Sequence, residues 1–339
     1  MSPRPRALIT GITGMVGSHL GDYLLAKTDW DIHGLIRWRS PLDNIEALLP
    51  HANAKTRVFF HYGDLRDPVS LDTAVKEAAP DYIFHLAAQS FPKTSFSSPL
   101  DTLEVNVTGT SAFLETVRKH VPKATIHVCA SSEVFGRVAK ENLPIKEDCS
   151  FHPASPYAIS KVGTDLLGRF YAEAYGMQVM TTRMFTHTGP RRGDVFAESS
   201  FAKQIAMIEA GLIPPVVKVG NLKSLRTVAD VRDAVRAYHM LVTMKPQSGA
   251  YYNIGGTHSC TVGDILDFLI SLSPRKKDIK IEVDPDRLRP LDADLQVPDT
   301  SKFAAHTGWK PEIPFATTMT DLLEWWRDRV KRGHGQLVR

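Results

Sequence analysis

Tyr157 precedes Lys161 by four residues in the stretch SPYAISKVG, residues 155–163. On a helix these side chains lie on one face, a turn apart. Such a pair is either an ordinary surface contact or a working acid–base unit, in which the ammonium lowers the pKa of the phenol so that a phenolate can take a proton. A second set of polar groups stands just upstream: the β-prone run TIHVCASSE, residues 125–133, ends in Ser131, Ser132 and Glu133. If the fold brings the two sets together, Ser131, Glu133, Tyr157 and Lys161 form a proton-handling constellation. Glu133 matters most for the type of reaction. Tyrosine, lysine and serine are enough for a redox step at one carbon, whereas a second proton to be removed needs a second base. The structural alternative is that Glu133 ties down a loop and Ser131 satisfies strand-end backbone.

The elements that would position these groups alternate along the first half of the chain. RALIT, DIHGLIR, RVFFHYGDL, DYIFHLAA, TIHVCASSE and QVMTTRMF read as strands. SHLGDYLLAK, DPVSLDTAVKEAA, TLEVNVTGTSAFLETVRKH and SPYAISKVGTDLLGRFYAEAYG read as the helices between them, the last ended by Gly176. Near-continuous apolar strands alternating with helices predict an α/β fold, a doubly wound parallel sheet of Rossmann type. After Phe185 the rhythm breaks. PPVVKVGNLKSLRTVADV holds one strand, and the alternation resumes with VRDAVRAYHMLV, YYNIGG and TVGDILDFLISL. A Pro- and charge-rich segment then leads to a terminal helix, TTMTDLLEWWRDRV, whose Trp325 and Trp326 read as packing residues.

Gly11, Gly14 and Gly17 form G-x-x-G-x-x-G between the first strand and the first helix. Glycines there let the backbone turn and approach a pyrophosphate at a helix N-terminus; the alternative is a merely structural turn. We therefore expect a dinucleotide-binding domain from residues 1–186 and 226–272, and a smaller C-terminal substrate-binding domain from 187–225 and 273–339. The second strand ends in Arg37, Trp38, Arg39 and Ser40 where NAD sites place an acidic residue. Two guanidiniums and a hydroxyl suit a 2′-phosphate, which favours NADP, with NAD as the alternative cofactor. An exposed basic loop is the competing reading. Asp64, with Leu65 beside it, is placed to accept from the adenine amino group, and Ala87 and Ala88 would let the cofactor pass close to the backbone. Ligands of such sheets bind beyond the carboxyl ends of the strands, so Tyr157 and Lys161 would also meet the nicotinamide end. Asn106 is placed to hydrogen-bond across to the site or to serve as a buried structural amide.

Composition narrows the classes further. The 339 residues are 43% hydrophobic and 23% charged, ordinary for a soluble globular protein. A net charge of +4, from 41 basic and 37 acidic residues with no basic run, argues against a nucleic-acid partner and suits an anionic substrate. Cys129, Cys149 and Cys260 show no ligand spacing, and the 13 histidines are scattered. We expect reduced thiols, a cytoplasmic location and no metal. Neither a signal region nor a membrane span is apparent.

The glycine motif, the hydroxyl ending the fifth strand and Y-x-x-x-K together resemble the extended short-chain dehydrogenase/reductases that modify nucleotide sugars. Within that superfamily the chain is similar to the GDP-mannose 4,6-dehydratases through ALITGITG, HGLIRWRS, HYGDLRD, FHLAAQS, SSEVFG, SPYAISK, GPRRG and the later RLRP and GWKP. The resemblance implies an internal redox elimination. Tyr157 takes the proton from sugar O4 as hydride leaves C4 for NADP⁺; Glu133 removes the C5 proton; water departs from C6, helped by Glu133 or Ser131; hydride returns at C6. It also implies that Arg191, Arg192, Arg226 and Arg289 hold a nucleoside diphosphate, and that the protein is a homodimer or homotetramer. The chain departs from the pattern at Ser131, where threonine is usual, at Thr186-His187-Thr188-Gly189 in place of N-H-E-S, and at Thr227-Val228 in place of D-W. KVGNL and DVRDAV are similar to GDP-4-keto-6-deoxymannose reductases. A reductase, a nucleotide-sugar 4-epimerase and a cofactor-binding regulator are the competing readings.

Overall fold

The computed structural model describes residues 3–333. Among the described residues thirteen strands are formed: β1 (Arg6–Thr10), β2 (Asp31–Ile36), β3 (Val58–Tyr62), β4 (Tyr82–His85), β5 (Thr125–Cys129), β6 (Val179–Met184), β7 (His187–Thr188), β8 (Val216–Val219), β9 (Leu225–Asp230), β10 (Tyr251–Ile254), β11 (His258–Thr261), β12 (Lys280–Val283) and β13 (Leu295–Gln296). The helices are α1 (Met15–Lys27), α2 (Leu49–Asn53), α3 (Pro68–Ala78), α4 (Pro92–Ser97), α5 (Pro99–Leu103), α6 (Gly109–His120), α7 (Pro156–Tyr175), α8 (Ala197–Glu209), α9 (Val231–Thr243), α10 (Val262–Ser271), α11 (Ser301–Thr307) and α12 (Phe315–Lys331).

Seven strands make the central sheet in the order β10-β6-β5-β4-β1-β2-β3, and every pairing in it is parallel. The apolar runs of β1, β4 and β5 are buried because helices cover both faces. On one face Ile9, Ile32 and Phe84 pack with Leu20 and Leu24 of α1 and with Ala234, Val235 and Tyr238 of α9. On the other, Leu8, Ile83 and Ile126 pack with Leu71 and Val75 of α3 and with Phe113 and Val117 of α6. The chain winds outward from β1 in both directions, so the strand order reverses between β1 and β4. That reversal opens a crevice at their carboxyl ends.

The break in rhythm after Phe185 marks a second packing unit. β9 pairs with β11, β13 and β7, and β8 pairs with β12; the single strand expected from 214–231 is two, β8 and β9. Phe201 and Ile205 of α8, Leu266 and Leu269 of α10, and Leu322 and Trp326 of α12 share one core. Within 226–272, α9 and β10 pack with the large sheet, whereas β9, β11 and α10 belong to the smaller unit. Conversely, Phe303 of α11 and Trp309 join the core of the large sheet. Sequence rhythm assigned these pieces differently because an amphipathic helix carries no label for the core it will cover.

The helix expected over 102–120 is interrupted by a π-helical turn at Glu104–Thr108. The Asn106 carbonyl there accepts from Thr110 Oγ1 at 2.6 Å and from Thr164 Oγ1 at 3.0 Å, so side-chain hydroxyls satisfy the backbone group that the wider turn releases. Among the described residues no helix is long and apolar enough to cross a membrane.

Candidate active site

Local sequence rules set where Tyr157 stands. Ser155 caps α7, accepting from the Ala158 N–H at 3.0 Å, and Pro156 opens the first turn. Gly176 closes the helix at φ +63°. Tyr157 therefore lies in the first turn and Lys161 one turn later, both buried. β5 delivers Ser131 at the start of a 3₁₀ turn, Ser132–Val134, where the Ser131 hydroxyl accepts from the Glu133 N–H at 3.2 Å. The Ser131 side chain acts on the Tyr157 hydroxyl, lowering its pKa. The sequence set is thus assembled: a phenol, a hydroxyl, an ammonium and a carboxyl meet between β5 and α7.

The electrostatics differ from the sequence expectation in one respect. Burial pushes the Tyr157 phenol well above its ordinary value and Glu133 adds to this, while the Ser131 hydrogen bond and the Arg192 charge pull it down. Lys161 turns its Nζ to the Cys129 carbonyl at 2.8 Å, and burial lowers its own pKa. Desolvation of the phenol outweighs the cationic help the protein supplies, so the depressed phenol expected from the Tyr157–Lys161 spacing is not produced by the protein groups alone. Glu133 is likewise raised by burial, against the lowering charges of Arg289 and Arg226 and with Asp292 raising it further.

The four arginines divide. Arg226 donates to the carbonyls of Ala293 and Leu225 at 2.7 and 3.0 Å and pairs with Asp292 at 3.5 Å. Arg289 meets the same carboxylate at 3.4 Å. Arg192 pairs with Glu198 at 3.2 Å and lies over the Phe196 ring; its charge acts on Tyr157. Arg191, at φ +68°, is held away by a 2.7 Å ion pair to Asp22 on α1. The charges of Arg226 and Arg289 thus act on Glu133 and that of Arg192 on Tyr157, whereas Arg191 is paired on the flank of α1.

A cleft of about 1110 Å³ runs across the β1/β4 crevice, lined by Gly11, Gly14, Arg37, Ser40, Asp64, Leu65 and Ala87 among others. Its floor is glycine for a steric reason. Gly11 sits at φ +75°, and a Cβ there would stand 2.9 Å from the Ala87 backbone. Gly17 lies behind the cleft, where a Cβ would come within 2.3 Å of the Gly11 carbonyl oxygen; it lets α1 close on the loop. The size, the glycine floor and the Arg37–Ser40 end fit an extended dinucleotide. Arg39 is exposed and does not line the cleft. The Asp64 carboxylate is held by Arg66 at 3.2 Å. Burial would raise this carboxyl, but the Arg66 hydrogen bonds prevail and hold it below its ordinary value.

Sequence reading overlooked Arg66, which carries no motif of its own and becomes visible only because it bridges Asp64 and Asp101 at the cleft wall. Asp292, the acid that follows RLRP in the stretch RLRPLD three residues after Arg289, was given no role there. Asn106 is a structural amide: its side chain receives the Gln89 N–H at 2.8 Å and donates to the Gln89 carbonyl and Ser160 Oγ. It fixes the loop after β4 to α7. Among the described residues no group of His, Cys, Asp and Glu is arranged to hold a metal ion.

Comparison with known proteins gives a consistent picture. The GDP-mannose 4,6 dehydratase family model matches residues 8–322. The chain is 35% identical over 325 residues to GDP-mannose 4,6 dehydratase 1 of Arabidopsis thaliana, spanning 93% of this chain and 88% of that one. It is 31% identical over 327 residues to the GDP-6-deoxy-D-mannose reductase of Pseudomonas aeruginosa, spanning 96% and 98%. The structure of RMD from Pseudomonas aeruginosa complexed with NADPH superposes with a TM-score of 0.79 at 29% identity, over 96% of this chain and 99% of that one.

Proposed function

The chain belongs to the GDP-mannose 4,6-dehydratase family of extended short-chain dehydrogenase/reductases, and from that premise we propose that it converts GDP-mannose to GDP-4-keto-6-deoxymannose with a recycled NADP. The observation that carries the reading is Glu133, a second proton-handling group next to the Tyr157–Ser131 pair. Bound in the cleft, the nicotinamide would accept hydride from sugar C4 and return it at C6. Arg37 and Ser40 at one end, and Gly11 and Gly14 at the turn, would hold its 2′-phosphate and pyrophosphate.

The remaining work falls to side chains. Tyr157 takes the O4 proton as the C4 carbonyl forms, and its deprotonation depends on the positive charge gathered at this end of the site. The new carbonyl acidifies C5–H. Glu133 removes that proton, the C5–C6 double bond forms, the C6–O bond breaks, and hydroxide leaves as water with a proton from Glu133 or Ser131; once hydride is back at C6, C5 takes up one proton, the equivalent of the O4 proton held by Tyr157, and both side chains end as they began. A buried carboxyl whose proton affinity is raised is suited to both duties. Arg226 and Arg289, with Arg192, would grip the diphosphate through their planar forks, with the smaller unit serving as the sugar-nucleotide lobe.

The test is mass spectrometry of the products of GDP-mannose incubated with catalytic NADP⁺. Loss of one water without net cofactor reduction is the expected result. The reductase reading has a specific motive in the similarity to the Pseudomonas aeruginosa reductase. NADPH oxidation by the 4-keto-6-deoxy sugar, with no turnover of GDP-mannose, would replace the dehydratase reading with it.

We also place the protein in the cytoplasm as a homodimer or homotetramer. Its three free cysteines suit a reducing compartment. The exposed Ile159, Leu166 and Phe170 make an apolar stripe along α7 suited to a second copy. Sedimentation velocity should give a dimer or larger, and Phe170→Glu should shift it towards monomer.

A further inference from the structure

We propose that Lys93 is the clasp of the dinucleotide cleft: it ties the large unit to the smaller one across the cleft and so keeps the nicotinamide cofactor bound between turnovers. The purpose of that retention rests on the recycled-cofactor reading above. The cleft of about 1110 Å³ is walled on one side by Phe91, Lys93 and Thr94, at the start of α4, and on the other by Val195, Leu288 and Pro290. Two contacts join these walls. Lys93 Nζ donates to the Asp286 carbonyl. The Phe91 and Phe196 rings meet edge to face, with centroids 5.7 Å apart.

Both walls are braced from behind, so the contacts between them join two fixed surfaces. The Phe91 N–H donates to Gln89 Oε1 at 2.6 Å, and the Gln89 N–H donates in turn to Asn106 Oδ1 at 2.8 Å. Across the cleft, Asp286 sits in a 3₁₀ turn, Pro285–Arg287, capped by the Asp284 carboxylate, which accepts the Asp286 N–H at 3.1 Å. Arg287 reaches Ser200 Oγ on α8 at 3.0 Å. Gly220 packs so closely on this turn that a Cβ there would stand 2.7 Å from the Arg287 carbonyl oxygen. Among the described residues Lys93 forms no ion pair with a carboxylate, and its bond goes to a neutral carbonyl. One bond of this kind slows opening yet can break each time cofactor exchanges. The two units are also joined by the Arg191–Asp22 ion pair at 2.7 Å and by His19 to the Pro190 carbonyl at 3.0 Å. Loss of the clasp therefore frees the cleft without parting the units.

The experiment is stopped-flow displacement of bound NADPH, and separately of NADH, from the full-length protein, followed by nucleotide fluorescence. Lys93→Met keeps the aliphatic stem and removes the charge. It should release both nucleotides about tenfold faster at an unchanged Tm, and Lys93→Arg should restore slow release. An unchanged rate in Lys93→Met would overturn the proposal, as would failure of Lys93→Arg to restore it. Faster release of NADPH alone would also overturn it, by making Lys93 a ligand of the 2′-phosphate. The displacement needs no sugar nucleotide. Faster release from Lys93→Met, in a protein that removes no water from GDP-mannose, keeps the clasp and sinks the dehydratase reading. An unchanged rate in an active dehydratase does the reverse.

Discussion

Lys161 on α7 donates its Nζ to the backbone carbonyl of Cys129, the last residue of β5, at 2.8 Å. The bond compensates a buried ammonium and fastens the first turns of α7 to the strand that presents Ser131. It ties the position of Tyr157 to the sheet rather than to the loop between them.

Removing the phenol should act on rate rather than on folding, whereas removing the ammonium should also loosen the tie between α7 and β5. Tyr157→Phe and Lys161→Met are each expected to lower kcat by about 10²–10⁴-fold. GDP binding, followed by titration calorimetry, should be nearly unchanged. A Tyr157→Phe protein with wild-type kcat would remove the phenol from the chemistry.

Glu133 trades stability for function. Its folded pKa is raised by burial, so its contribution to stability is whole below the ordinary carboxyl value and is lost as pH rises through the folded value. At high pH the native protein must either ionise this buried carboxyl or keep a proton that the unfolded chain has released, and either costs stability. Glu133→Gln should abolish water loss and raise Tm at pH 8 by about 2 °C, with the difference vanishing near pH 4. Calorimetric scans at the two pH values check this; a lowered Tm at pH 8 would contradict the desolvation account.

Several histidines predict acid sensitivity. Burial lowers His85 and His127 to about 3, and His19, His33 and His187 to about 4. Depressed folded values mean stability that is present above pH 6.5 and lost as pH falls, at about 1.4 kcal/mol per pH unit for each such group. Urea unfolding at pH 7.0 and 5.5 should show a steep decline. His127→Gln should reduce the slope by about one proton.

Cofactor selectivity separates two neighbouring arginines. Arg37 lines the cleft and Arg39 does not. Arg37→Ala should weaken NADPH binding by about 10–100-fold, the loss of a charge-assisted contact, and leave NADH binding within about threefold. Arg39→Ala should change either by less. Fluorescence titrations with both nucleotides read this directly; equal weakening of both by Arg37→Ala would place Arg37 away from the 2′-phosphate.

The frame around the site has a buried keystone. Arg183 of β6 and Asp165 of α7 form a two-point ion pair at 2.7 and 3.1 Å, and Arg183 also donates to the Glu147 carbonyl at 2.6 Å. Breaking it by Arg183→Met should cost about 3–5 kcal/mol, since the buried Asp165 carboxylate is left with only the longer 3.7 Å pairing to Arg169. The double variant Arg183→Met/Asp165→Leu should recover part of that loss in urea unfolding.

The parallel strands, the glycine turn and the Ser131, Tyr157 and Lys161 set are all local patterns. An apolar strand, a turn that admits no Cβ and a capped helix are specified within a few residues of themselves, so they could be read from the chain in order. The same holds for Glu133, which follows the fifth strand directly. Charges do not behave in this way. The sign of the shift at Tyr157 depends on desolvation by the whole surround, which no spacing encodes. Arg191 turned to Asp22 while Arg192 turned to the site, although they are adjacent in sequence. Arg66, Asp292 and the partition of 226–272 between two cores depend on contacts between residues far apart in the chain. Sequence alone thus determined the scaffold and which polar side chains stand at the end of β5 and the start of α7, because short-range sterics and hydrophobic periodicity are local. Tertiary structure decided their protonation and which arginines face them, because burial and Coulomb interactions act through space.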